Sequence, residues 1–160
     1  MSATRYNIKI YKLFSADQAD RSGNPNDADW EEISIRDEKR KTELNKILAL
    51  KPILSGEDYF MITMLHQHGK KISDIKKAKS FAYKSMKMGY EKSKWLYAAT
   101  TDRMLMYGGE KQKYGTQYKK LKSGRWVLWP VDRKTTDEER AKLNVNKMED
   151  AKKLVDELNT

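Results

Sequence analysis

The chain has no cysteine at all, which excludes disulfides, thiolate metal sites and cysteine nucleophiles together. No apolar run approaches the length needed to span a bilayer, and the segment from Met1 to Phe14 lacks the apolar core of a signal peptide. Both point to no membrane insertion and a cytoplasmic location. Gly108-Gly109 precedes no helix, so no phosphate-binding glycine loop of the Walker or Rossmann kind is present. No nucleophile elbow marks a serine as catalytic. The paired Glu-x-x-His spacing of helical di-iron sites is missing, as are helix-turn-helix, zinc-finger and RNP motifs. With no low-complexity linker to divide it, the sequence predicts one domain over residues 1–160.

What is present is a polar but foldable chain. Of its 160 residues, 38% are hydrophobic and 35% charged, and four Trp with nine Tyr argue against a disordered composition. The net charge of +10 is uneven, because residues 70–127 alone sum to +12. A lysine-rich surface of this kind attracts nucleic acid, acidic proteins or anionic lipid, or is simply a solvated helix face.

Apolar periodicity and breakers set out the elements. A first helix from about Arg5 to Arg21 carries Tyr6, Ile10, Leu13 and Phe14 on one face, and Ser22 to Asn26 breaks it. A second runs from Trp30 or Ile35 to Leu50. Ser55 with Asp58 resembles a capping box opening a third, for which Gly69 is a suitable C′ residue. Ser73 is the expected cap of a fourth ending at Gly89, and a fifth spans about Glu91 to Tyr107. The period then changes. Tyr114 to Leu121 and Arg125 to Trp129 flank Lys122-Ser123-Gly124 and predict a β-hairpin ended by Pro130. Thr136 with Glu139 caps a short helix, and Met148, Ala151, Val155 and Leu158 stripe a last one. The expected fold is mainly α, a bundle of about six helices with one β-hairpin. The helical body covers about 5–108, the hairpin 112–130 and the C-terminal helices 136–158.

Charge placed on these apolar stripes is the most informative pattern. At 100° per residue, Asp17 falls in line with Ile10, and Arg21 with Phe14. Asp37 and Arg40 share a face with Leu44 and Ile47. His68 projects with Phe60, Met61, Met64 and Leu65, while His66 points nearly opposite. Asp102 sits among Trp95, Ala98, Ala99 and Met106, with Arg103 at the stripe's edge. Buried ions must meet each other or a ligand. One outcome is a polar pocket in which His68, Asp102, Asp17 and Asp37 do acid–base work and Arg21, Arg40 and Arg103 bind a small anion through their guanidinium forks. Gln112, Tyr114 and Gln117, in a loop covering the cluster, add hydrogen bonds. The other outcome is a structural ion-pair network. No metal is expected, since the arginines repel a cation, and the sequence identifies no cofactor.

Two resemblances follow from these residues. Ala78 and Ala82, Gly89 at the turn, then Leu96 and Ala99 resemble one Sel1-type helical hairpin; a solenoid needs several such units. The ordered series Asp17-Gln18 to Arg21, Asp37 to Arg40, Gln67-His68-Gly69, Trp95-Leu96, Asp102-Arg103, Gln112 and Tyr114-Gly115-Thr116-Gln117 resembles an uncharacterised bacterial domain-of-unknown-function family. That family has the same D-R, Q-H-G and Y-G-T-Q signatures in this order. The resemblance spans about residues 10–140 and implies a helical fold and site positions but no reaction. The chain departs from the pattern in having no secretory leader and in its lysine load. Three functional readings stand: a small, anionic-ligand site with or without catalysis; a nucleic-acid module through residues 70–127, where Tyr90, Tyr97, Tyr118 and Trp126 interleave with lysines; and a protein–protein module suggested by the Sel1-like hairpin.

Overall fold

A computed structural model describes residues 6–25 and 27–160. The described residues are mainly helical, with seven helices and one two-stranded antiparallel ribbon. They divide between Glu91 and Lys92 into two compact units.

The first unit is four helices, α1 (Ile8–Asp20), α2 (Trp30–Ala49), α3 (Gly56–Gln67) and α4 (Ile72–Lys87). Polar residues at the helix starts supply the partners that the first amides lack. Asn7 accepts from Lys9 and Ile10, Asp29 accepts from Glu32, and Ser55 with Asp58 forms a reciprocal capping box. Asp58 also accepts from the Asn7 amide at 2.6 Å, which ties the start of α1 to the start of α3. The fourth start departs from expectation. Lys71 occupies the N-cap without a side-chain bond, and Ser73 lies inside α4.

Ile10, Leu44, Met61, Ile62 and Leu65 form the core, with Phe14, Leu48, Phe60 and Phe81 packed around it. Helix α3 packs against α1, α2 and α4, so it is buried on more than one face. That explains an inversion of the sequence expectation. His66 is 3% exposed and stacks on Phe81, whereas the His68 side chain is 25% exposed. A single-stripe argument holds for a helix with one neighbour and fails for a central one.

The second unit contains α5 (Lys92–Tyr107), β1 (Tyr118–Lys120), β2 (Trp126–Leu128), α6 (Asp137–Lys142) and α7 (Met148–Leu158). Tyr118 pairs with Leu128 and Lys120 with Trp126. Helix α7 packs on β2, and Asn159 exchanges hydrogen bonds with the Trp126 backbone. The strands are shorter than the aromatic runs because the amides of Lys113, Tyr114, Thr116 and Gln117 bond to side chains instead of a partner strand. Thr136 and Glu139 form the expected capping box of α6.

Candidate functional site

Five of the predicted residues come together in the first unit. The last turn of α1 presents Asp17, Asp20 and Arg21, and α2 answers with Arg36, Asp37 and Arg40. Arg21 bonds Asp17 Oδ1 at 2.7 Å and Asp37 Oδ2 at 2.6 Å. Arg40 bonds Asp37 Oδ1 at 2.6 Å and Asp20 Oδ2 at 2.8 Å, and Arg36 reaches the same Asp20 oxygen at 3.0 Å. The result is a zipper in which cation and anion alternate between the two helices. At its end, His68 Nε2 lies 3.8 Å from Asp17 Oδ2, and Gln18 donates to that oxygen at 2.8 Å.

The electrostatics differ along the zipper. Burial is the largest influence on Asp17, and it raises the pKa even though Arg21 opposes it. Burial acts the same way on Asp37, but hydrogen bonds from Arg21 and Arg40 outweigh it and hold the carboxyl below its usual range. Asp20 is also held low, because the Arg36 and Arg40 bonds overcome a slight burial. Arg40 is 8% exposed, and the Asp37 and Asp20 bonds raise its pKa against the effect of burial. Thus Arg21 and Arg40 are engaged with carboxylates of the chain itself. Asp20 and Arg36 escaped the sequence reading. Their signal was the Asp17–Asp20 spacing of three opposite the Arg36–Arg40 spacing of four, which means nothing until α1 and α2 are placed side by side.

His68 is the C-cap of α3. The turn after it depends on Gly69, where an added Cβ would overlap the Cβ and carboxylate of Asp74. The glycine of Gln67-His68-Gly69 is therefore explained by the close approach of α4. Asp74 in turn accepts from Lys41 at 3.3 Å, and Lys41 also pairs with Glu38. Behind this turn lies His66, whose buried Nδ1 has no hydrogen-bond partner among the described residues. Burial, followed by the charge of Lys77, pushes its pKa down to about 4.

The other five predicted residues gather in the second unit. Asp102 is fully buried in α5, and its carboxylate organises the loop that follows. Oδ1 accepts from the amides of Lys113 (2.7 Å) and Tyr114 (2.9 Å), and Oδ2 from the amide (3.0 Å) and hydroxyl (2.8 Å) of Thr116. Four donors fill its lone pairs, so within this unit Asp102 is a loop-positioning residue. Gln112, fully buried, donates to the carbonyls of Gln117 and Trp129 and accepts from the Gln117 amide. Gln117 donates to Ala99 O and accepts from Arg103 Nε at 3.2 Å. Burial lowers the Arg103 pKa. Of the expected stripe around Asp102, Ala98 and Ala99 are buried, but Trp95 is 45% exposed. Gly115 sits at φ +85°, a left-handed conformation that strains any side chain, and a Cβ there would also meet Met148 Cε at 2.8 Å, so the Tyr114-Gly115-Thr116-Gln117 turn favours glycine.

Sequence reasoning also missed Arg140. It is 4% exposed and donates to the carbonyls of Tyr114 and Thr135 and to Asp137 Oδ1. Its only sequence signal is a basic residue in the last turn of a six-residue helix, which ordinarily means an exposed one.

On the basic surface, Lys119 lies over the Trp129 ring and Lys120 over the Trp126 ring. No group of three or more His, Asp or Glu among the described residues is placed to hold a metal ion, and none of their helices is long and apolar enough to cross a membrane. No protein-family model, curated protein or solved structure matches the chain.

Proposed function

We propose that the chain carries a small-molecule site at His68, where the imidazole exchanges a hydrogen bond or proton with an anionic ligand and Asp17 orients it from behind. One observation carries this reading. Asp17, 1% exposed, places a carboxylate oxygen 3.8 Å from Nε2 of a histidine whose side chain is a quarter exposed. An imidazole backed by a buried carboxylate is the arrangement that tunes a histidine for proton transfer.

The roles of the arginines change in this reading. Arg21 and Arg40 hold Asp17 and Asp37 in place, since their guanidinium groups are already bonded to carboxylates. Three arginines face three aspartates along the zipper, so its charges balance, and protonation of His68 adds a positive charge beside it for an anion to meet. Asp102, Gln112 and Gln117 serve as scaffold for their loop and Tyr114 as its buried anchor, while Arg103 braces Gln117.

The test is a thermal-shift panel of inorganic phosphate and small mono- and dicarboxylates at pH 6.0 and 7.5, run on the wild type, His68→Asn and Asp17→Asn. A ligand present at a hundred times its Kd adds about 2.7 kcal/mol, or about 8 °C for a chain of this length. The expected result is a shift that is larger at pH 6.0 and absent in His68→Asn. A ligand shift that His68→Asn leaves intact refutes the assignment.

A further inference from the structure

The second unit holds a cavity of about 670 Å³ beside the exit of β2, walled by Leu128, Trp129, Val131 and Met148. That volume suits a drug-sized ligand. The Trp129 ring is a fixed wall, because its indole N–H donates to the Glu110 carbonyl at 2.7 Å. The polar side of the cavity is cationic. Lys111, Arg133, Arg140 and Lys152 line it against two carboxylates, Asp132 and Asp137.

Both carboxylates are occupied. Asp137 accepts from Arg140 Nη1 and from the Met148 amide, each at 3.0 Å, and Asp132 accepts from the Lys134 amide. Arg140 is the deepest of the cations. Its Nε bonds the Tyr114 carbonyl and its Nη1 the Thr135 carbonyl and Asp137, all at 3.0 Å. The three bonds use Nε and Nη1, and Nη2 is not among the buried atoms left without a partner, so it is open to solvent. A guanidinium nitrogen that no protein acceptor uses, in a side chain 4% exposed that lines a cavity with an apolar wall, is available to an acceptor entering that cavity.

We propose that this cavity binds an organic monocarboxylate with an aryl or branched alkyl body. Its carboxylate meets Arg140 Nη2, and its body lies against Trp129, Val131 and Met148. A single negative charge is favoured because Asp137 already sits on the adjacent Nη1. The proposal stands or falls independently of the one at His68.

The experiment follows the Trp129 indole N–H and the Val131 and Met148 methyl resonances of the full chain during titration with 3-phenylpropionate, 3-phenylpropanol and inorganic phosphate. The acid is expected to saturate these shifts, with the alcohol at least about tenfold weaker, corresponding to about 1.4 kcal/mol. Equal binding of acid and alcohol, no shift with 10 mM acid, or equal displacement by phosphate alone would overturn the proposal. Arg140→Gln is expected to weaken the acid about tenfold. Because Arg140 also holds two carbonyls, Val131→Trp provides the second variant, filling the cavity without removing a hydrogen bond. It is expected to abolish binding with the remaining spectrum unchanged, and binding that survives in Val131→Trp would also overturn the assignment.

Discussion

His66 should make the protein acid-sensitive well above the range where carboxylates titrate. Its folded pKa is about 4, against an ordinary value of 6.5. Between these values the unfolded chain binds a proton that the folded chain refuses. Stability is therefore undiminished above about pH 7.5, falls as pH drops through 6.5, and stops falling from this cause below about 4. A separation of about 2.5 units corresponds to about 3.4 kcal/mol in full, of which about 2 kcal/mol is already lost at pH 5. The charged groups facing His66 are Lys77, Asp74 and Lys41. His66→Leu replaces the ring with a side chain of similar volume and removes an unpartnered buried nitrogen, so its stability at pH 7.5 should equal or exceed the wild type's. Urea unfolding of both proteins at pH 7.5 and 5.0 cancels the effects they share, including those of Asp20 and Asp37. The variant's advantage should grow by about 2 kcal/mol on acidification. Parallel pH profiles, or a His66 imidazole that titrates near 6.5 by NMR, would refute the reasoning.

The remaining predictions concern the two charged centres. Asp102→Asn replaces one acceptor oxygen by an amide N–H₂ that faces two donors, and should cost about 3 kcal/mol. The amides of Lys113, Tyr114 and Thr116 should lose hydrogen-exchange protection together; unchanged protection would mean the loop holds itself. Asp37→Asn strands parts of both Arg21 and Arg40 and should cost about 3 kcal/mol in urea unfolding. The double replacement Arg21→Met with Asp37→Leu should recover part of that loss, and a double variant less stable than either single one would contradict the ion-pair account.

Much of the fold was legible because local chemistry decided it. The capping boxes at Ser55 and Thr136, the break at Ser22 to Pro25 and the change of period after Gly108 each depend on residues close in sequence, and each is present in the structure. Errors arose where a distant partner intervened. Ser73 has the chemistry of a good cap, yet α4 starts at Ile72 with Lys71 at the N-cap and no side-chain cap bond, and Asp74 lies close against Gly69. The strands were drawn too long because β-propensity carries no record of Asp102 and Gln112, eleven and five residues away along the chain, taking the amides of Lys113 and Gln117. The two histidines were exchanged because α3 has neighbours on several sides.

The charged cluster shows the same division more sharply. Asp17 with Arg21 and Asp37 with Arg40 were visible as intrahelical spacings, but those spacings do not distinguish a surface pair from a buried one. The cross-links from Arg21 to Asp37 and from Arg40 to Asp20 make the distinction, and they exist only in the packed pair of helices. Because they pair every arginine of the zipper with an aspartate, the centre is close to neutral within a chain of net charge +10. The basic excess of residues 70–127 therefore has no counterpart in the zipper, and neither feature is evidence about the purpose of the other. A ligand reaching His68 meets, beside a balanced network, an imidazole, the side-chain type whose protonation ordinarily changes near neutral pH. A ligand reaching Arg140 meets a guanidinium, a side-chain type without an ordinary protonation change in that range. Binding at the first should thus weaken from pH 6.0 to 7.5, while binding of 3-phenylpropionate at the second should stay level over the same interval. That difference separates the two sites without any substitution.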